Sequence, residues 1–391
     1  MTLRSPLRIL VGLALLASGL CASPVVADEV GVSADTILFG QVAALEGPSA
    51  ALGQSMRQGL LTAFSEINSK GGINGRKLRL VSRNDGYDPD RSVVETVKLI
   101  YEDKVFAFIG AVGTPTAMAT APIAAANDVP FVGPVSGAEF LKGSEFQNVV
   151  NMRARYSAEA EAWIKHLVEN LHQTRIGIFY QDDAFGRDVL TGVKAALERR
   201  GMELTAEGTF ERNTRAVGAA FRVIKRAEPE AVIMVGTYGP CAEFIKLSHR
   251  SGFNPSFTAV SFVGGNALAK ELGREGAGVI VSQVVPFPWD TRLKLIADYQ
   301  AAQKALDPSQ TPDFQSLEGY LVGRVVGRAL DLAGPTPTRS DLLRVINEAG
   351  EFDIGGYTVS FGAMQQTHPP SVFLTQIQSD GSFKPIEKLT N

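Results

Sequence analysis

The chain of 391 residues carries 38 Lys and Arg against 41 Asp and Glu, a formal charge of −3. That length predicts two domains, each able to build its own core, and the acidic balance is a poor match to nucleic acid. Two cysteines exclude a disulfide-stapled scaffold, while 39 Gly and 20 Pro fit many short strand–helix turns.

At the amino terminus Arg4 and Arg8 precede an apolar run from Ile9 to Leu20, and Val25-Val26-Ala27 puts small residues before Asp28. This is the pattern of a cleavable signal peptide over residues 1–27; the run is too short to span a bilayer, so no stable membrane anchor is expected. Cys21 opens a lipoprotein alternative, against which the bulky Leu20 stands. Cleavage removes Arg4 and Arg8, taking the charge to about −5, and leaves Cys241 alone, with no intramolecular disulfide possible.

In chain order, Thr36–Val42 reads as a strand running into the small-residue loop 43–53, and Gln54–Ser69 as a helix stopped by Gly71-Gly72. Leu78–Arg83 is a strand, and Asp88 or Asp90 caps a helix through Tyr101. The stretch 105–141 then gives a strand (Val105–Ile109), a turn (Gly110–Gly113), a helix with Thr114 as N-cap and Pro115 in its first position, a strand (Val129–Val132) and a second small-residue loop (Gly133–Ala138) holding Ser136. Loops at strand carboxyl ends and a fresh helix N-terminus suit an anionic ligand, although a Thr-Pro pair opening a helix is as well explained by structure alone.

A second strand–helix series follows: strand Arg175–Tyr180, helix Arg187–Arg200, strand Glu203–Phe210, helix Phe221–Ala227, strand Ala231–Val235, helix Cys241–Ser251 and strands Phe257–Phe262 and Val279–Val285. Helices Thr291–Leu306, Phe314–Ala333 and Ser340–Ala349 cover the first domain. Strand Tyr357–Phe361 and a hairpin of Val372–Gln378 with Phe383–Lys388, turning at Asp380-Gly381, close the chain. The fold class is α/β, two doubly wound lobes with parallel sheets.

An enzyme is the first rival reading. His166, His172, His249 and His368 are scattered, no G-x-S-x-G elbow or phosphate-binding G-x-x-x-x-G-K-[ST] loop is present, and Cys241, at a helix start that would lower its pKa, has no histidine placed to pair with it. The second rival is a sensory subunit that presents its ligand to a membrane receptor.

The segments GQVAALEGPSAALG, NSKGGINGRKL, NDGYDPDRSV, FIGAVGTPT, YQDDAFGRDV, VGTYGP and LEGYLVGR, in this order and spacing, resemble the type I periplasmic solute-binding proteins of leucine/isoleucine/valine type that serve ABC importers. The resemblance spans the mature chain. It implies two lobes joined by three crossovers, 28–149 plus 286–361 and 150–285 plus 362–391, closing on a small ligand. The partner it implies is an ABC permease, the location the periplasm, with no cofactor or metal and a monomeric state. It further implies that Thr114, with Pro115 and Thr116, and the loop Val135, Ser136, Gly137 and Ala138 hold a carboxylate, while Phe185 and Tyr238 close from the second lobe. Phe262 stands where relatives that bind amino acids place a carboxylate for the ammonium, Gly137 where they place a supporting threonine, and Leu52 where they place an aromatic platform. Losing the ammonium's partner argues for an acid without an amine, aromatic or aliphatic, with branched-chain or other amino acids as the alternative.

Around these, Tyr156 and Arg153 lie near the first crossover, as anion contacts or as hinge packing. Asp182 and Asp183 reach a ligand's polar end or serve a helix dipole, and Glu318 sits near the cleft rim.

Overall fold

The computed structural model describes Thr2 and residues 29–386, so the expected signal peptide, Thr2 apart, lies outside the described residues. Five strands, β1 (Thr36–Ala43), β2 (Lys77–Asn84), β3 (Ala107–Ile109), β4 (Phe131–Val132) and β5 (Val149–Val150), make one parallel sheet ordered β2-β1-β3-β4-β5. Helices α1 (Ala50–Ser69), α2 (Pro89–Tyr101) and α3 (Thr114–Ala126) connect its first four strands. After β5 the chain enters α4 (Tyr156–Lys165) and builds a second sheet from β6 (Ile176–Gln181), β7 (Ala206–Phe210), β8 (Ala231–Val235), β9 (Ser256–Ala259) and β10 (Ile280–Gln283). Its crossovers are α5 (Ala184–Glu198), α6 (Gly218–Ala227), α7 (Tyr238–Arg250) and α8 (Gly265–Leu272).

The chain then returns to the first lobe with α9 (Lys294–Leu306), α10 (Phe314–Ala333) and α11 (Arg339–Ala349), and pairs β11 (Glu351–Asp353) with β12 (Thr358–Ser360). Past α12 (Met364–Thr367) it crosses a third time, adding the antiparallel hairpin of β13 (Phe373–Ile377) and β14 (Phe383–Pro385) to β10. The second sheet is ordered β14-β13-β10-β9-β8-β6-β7. Two doubly wound α/β lobes joined by three crossovers are therefore present.

In each sheet strand order reverses once, between β1 and β3 and between β6 and β8. Crevices at the carboxyl ends of such strands are where open α/β sheets bind ligands. The lobes touch there: Asn213 Nδ2 donates to the carbonyls of Gly86 and Tyr87 at 3.0 and 3.3 Å, and the Ala51 N–H donates to the Tyr238 hydroxyl at 3.4 Å. The second crossover is anchored by aromatic packing, with Trp289 5.5 Å from Phe314 and stacked on Phe383 at 6.1 Å.

Several sequence boundaries move. Helix α1 starts at Ala50, not Gln54, and α5 at Ala184, because Asp183 caps it by accepting the Phe185 N–H at 3.0 Å. Gly113 rather than Thr114 is the N-cap of α3; its φ of 113° suits glycine, and a Cβ there would lie 2.4 Å from the Tyr87 ring. Of the expected strand Phe383–Lys388, β14 covers Phe383–Pro385, and residues 387 and 388 lie outside the described residues. Helix α4 escapes the apolar pattern because its buried face, Tyr156, Glu159, Ala160, Trp163 and Ile164, carries a glutamate.

Candidate functional site

The site begins with three hydroxyls. Thr114 opens α3 beyond β3, Ser136 follows β4, and Tyr156 opens α4 past the first crossover; all three are buried. Thr114 Oγ1 lies 2.7 Å from Ser136 Oγ and 3.3 Å from the Tyr156 hydroxyl. Burial pushes the Tyr156 phenol up to about 12, so it stays neutral and able to donate near pH 7. The first N–H groups of α3 lie beside the cluster, which makes this a place of converging donors, suited to an acceptor-only group such as a carboxylate.

Aromatic rings adjoin the hydroxyls. Phe185 lies 5.4 Å from Tyr156 and 4.9 Å from Phe262, and Phe262 lies 5.8 Å from Tyr87. All four rings are fully buried. Tyr87 is the residue that sequence reasoning missed. It stands in the loop after β2 with φ of 60°, and its hydroxyl accepts from Gln181 Nε2 of the other lobe at 3.2 Å. An aromatic at a third strand end of the same parallel sheet was the available signal.

The other expected residues divide. Leu52 is buried and borders Gly264 of the second lobe, and Tyr238 is half-buried at the lobe contact. Ala138 donates its N–H to Ser136 Oγ at 3.2 Å, and Val135 donates to the Ala111 carbonyl at 2.8 Å. Gly137 accepts the Tyr156 N–H at 2.9 Å and has no room for a side chain, since a Cβ would lie 2.6 Å from the Ala154 carbonyl oxygen. Pro115 has no N–H to offer, and the Thr116 hydroxyl donates to the Val112 carbonyl at 2.6 Å, so α3 contributes through Thr114. Asp182 pairs with Arg187, and Asp183 pairs with Arg212 at 3.0 Å. Cys241 is buried, which pushes its thiol up and overrides the helix N-terminus.

Beside the rings lies an ion-pair network that crosses the lobes. Arg153 Nη1 donates to both carboxylate oxygens of Glu318 on α10, at 3.0 and 2.9 Å, and Nη2 donates to Ser261 Oγ. Glu159 on α4 accepts from Ser261 N–H at 3.0 Å, from Ser261 Oγ at 2.8 Å and from Ser282 Oγ. Burial raises the pKa of Glu318 against the pull of Arg153, yet a guanidinium bridging both its oxygens is the geometry of an ionised pair. The expected choice for Arg153 between anion contact and hinge packing thus becomes a pairing with Glu318.

Asp85 holds the Tyr87 loop in place, accepting from the Tyr87 N–H and from Ser92 Oγ, each at 2.8 Å. Burial, the largest influence, pushes its carboxyl up to about 6. An unfolded aspartate titrates at about 4, so between about pH 4 and 6 the folded state binds more protons and stability falls as pH rises through that window. Asp85→Asn should flatten that fall, gaining about 1–3 kcal/mol relative to wild type on going from about pH 4 to pH 7 in urea titrations. A difference between the two proteins that does not change with pH would exonerate Asp85.

A profile of the family described as "Periplasmic binding protein" matches residues 36–382. The Leu/Ile/Val-binding protein BraC3 of Rhizobium johnstonii is 24% identical over 331 residues, covering 83% of this chain and 87% of its own. The crystal structure of a possible leucine/isoleucine/valine-binding protein from Rhodopirellula baltica SH 1 is 36% identical with a TM-score of 0.85, covering 93% of this chain and all of that one. A fatty acid ABC transporter substrate-binding protein from Thermomonospora curvata shares the fold, with a TM-score of 0.83 at 20% identity and coverage of 92% and 93%. Among the described residues no helix is long and apolar enough to cross a membrane. With two doubly wound lobes, strand-end loops converging between them and a profile match over most of its length, the chain belongs to the periplasmic binding proteins, as a type I member of the leucine/isoleucine/valine-binding kind.

Proposed function

We propose that the protein is exported by residues 1–27, works as a monomer in the periplasm, and captures a small carboxylate-bearing ligand for an ABC permease. Its lobes are 28–149 plus 286–361 and 150–285 plus 362–391, and they swing together on the ligand. The observation that carries this reading is the buried cluster of Thr114, Ser136 and Tyr156 at the start of α3, facing aromatic rings from both lobes. A carboxylate there accepts from hydroxyls whose other bonds are to one another and, for Ser136, to the Ala138 N–H. Ligand that meets the first lobe shifts the hinge by its added contacts with Phe185 and Phe262 of the second.

Two features favour an aromatic or aliphatic acid over an amino acid. The residue at the expected ammonium position is Phe262, and the nearby carboxylates are engaged: buried Glu318 with Arg153, part-buried Asp183 with Arg212, and buried Glu159 with two serines. The names of the Rhizobium and Rhodopirellula relatives favour branched-chain amino acids as the second reading. A thermal-shift screen separates them. A ligand at a hundred times its Kd adds about 2.7 kcal/mol, and stabilisation by acids that lack an amine is the expected result. Stabilisation by leucine-like amino acids alone would overturn it. Thr114→Ala should then weaken the acid by about 1–3 kcal/mol in calorimetry, and an unchanged Kd would remove Thr114 from the site.

A further inference from the structure

A cavity of about 30 Å³ lies between the lobes, walled by Arg153, Ser261, Asn266, Gln283, Asp313 and Glu318. It has room for about two waters, or for the end of a small molecule. Two buried polar atoms of its wall residues have no partner among the described residues: Nε–H of Arg153, a residue only 3% exposed, and Oδ1 of Asn266. One lacks an acceptor and the other a donor. Ser261 borders the cavity while its neighbour Phe262 packs on Phe185, so the single turn Ser261–Val263 serves both the cavity and the ring cluster.

We propose that this cavity is a second subsite of the cleft, taking a neutral hydroxyl or carboxamide at the far end of the ligand. The proposal rests on the reading that the carboxylate is held by Thr114, Ser136 and Tyr156. The two unmet atoms select the chemistry. An ammonium would leave Nε–H without an acceptor and would crowd the guanidinium. A carboxylate would leave Asn266 without a donor and would face the carboxylates of Glu318 and Asp313. A hydroxyl or a primary amide brings one acceptor and one donor together, and so satisfies both.

Calorimetry on the exported chain tests this with matched probes: hexanoate against its terminal hydroxy and terminal carboxamide derivatives, and leucine against glutamine. Within whichever series binds, the member with the neutral polar end should bind about tenfold tighter or better. Asn266→Ala, at a half-buried position, should erase that preference, and Arg153→Lys should reduce it. The hydroxy and carboxamide arms show which of the two groups the cavity prefers. Equal affinity across a series, a preference that survives Asn266→Ala, or no binding in either series would overturn the subsite. Binding of the amino acids in place of the acids would overturn the reading of a ligand without an amine, and a Kd unchanged by Thr114→Ala would overturn the carboxylate reading, while the leucine–glutamine contrast still decides the subsite.

Discussion

Replacing Arg153 with methionine is expected to cost about 3–5 kcal/mol of stability, because it strands buried carboxylates without a cation. Glu318 loses its partner at 2.9 Å, and Glu159, fully buried, keeps only its bonds to Ser261 and Ser282. The cost comes from the uncompensated charge that remains rather than from the absent hydrogen bonds themselves. A second variant separates these: Arg153→Met with Glu318→Leu removes both partners and should recover most of the loss. Urea titrations near neutral pH give the comparison. If the double variant is as unstable as the single one, guanidinium packing rather than charge pairing is what Arg153 supplies. Because Arg153 ties α10 of the first lobe to Ser261 of the second, the single variant should also open the protein, read as an increased radius in small-angle scattering.

How far the sequence foretells this arrangement depends on separation along the chain. Thr114 and Ser136 were legible because each sits in a small-residue loop just past an apolar strand, and parallel β3 and β4 put such loops side by side. Phe185 and Tyr238 are named through resemblance; the structure packs Phe185 on Tyr156 and Phe262 and puts the Tyr238 hydroxyl against the Ala51 N–H of the first lobe. The Arg153–Glu318 pair was not, since its partners are 165 residues apart and neither side chain breaks a local pattern. Glu159 was hidden for the opposite reason: it breaks the apolar face of α4, so the helix itself went unread. Tyr87 lay in a motif whose Asp88 reads as a helix cap, which is correct for Asp88 and says nothing of its neighbour.

Gly59→Val should be the most damaging single change in the first lobe, at about 3 kcal/mol or more, although it leaves every polar contact of the cleft in place. Helices α1 and α10 cross backbone to backbone: a Cβ on Gly59 would lie 1.9 Å from the Ser316 carbonyl oxygen, and one on Gly319 would lie 2.4 Å from that of Met56. Neither obstacle is the end of a flexible side chain, so relief requires the helices to separate. Intrinsic propensity works the other way, since glycine inside a helix is worse than most residues by up to about 1 kcal/mol, and the clash must exceed that gain. Separation would also carry Glu318, next to Gly319, away from Arg153, so local overpacking reaches the lobe contact. Gly218→Ala in α6 is the control, because the nearest atom to a Cβ there is the tip of Arg222 at 3.7 Å, and its effect should stay within about 1 kcal/mol. Equal melting temperatures for Gly59→Val and Gly218→Ala would mean that α1 and α10 separate at little cost, and that their close approach does not fix the position of Glu318.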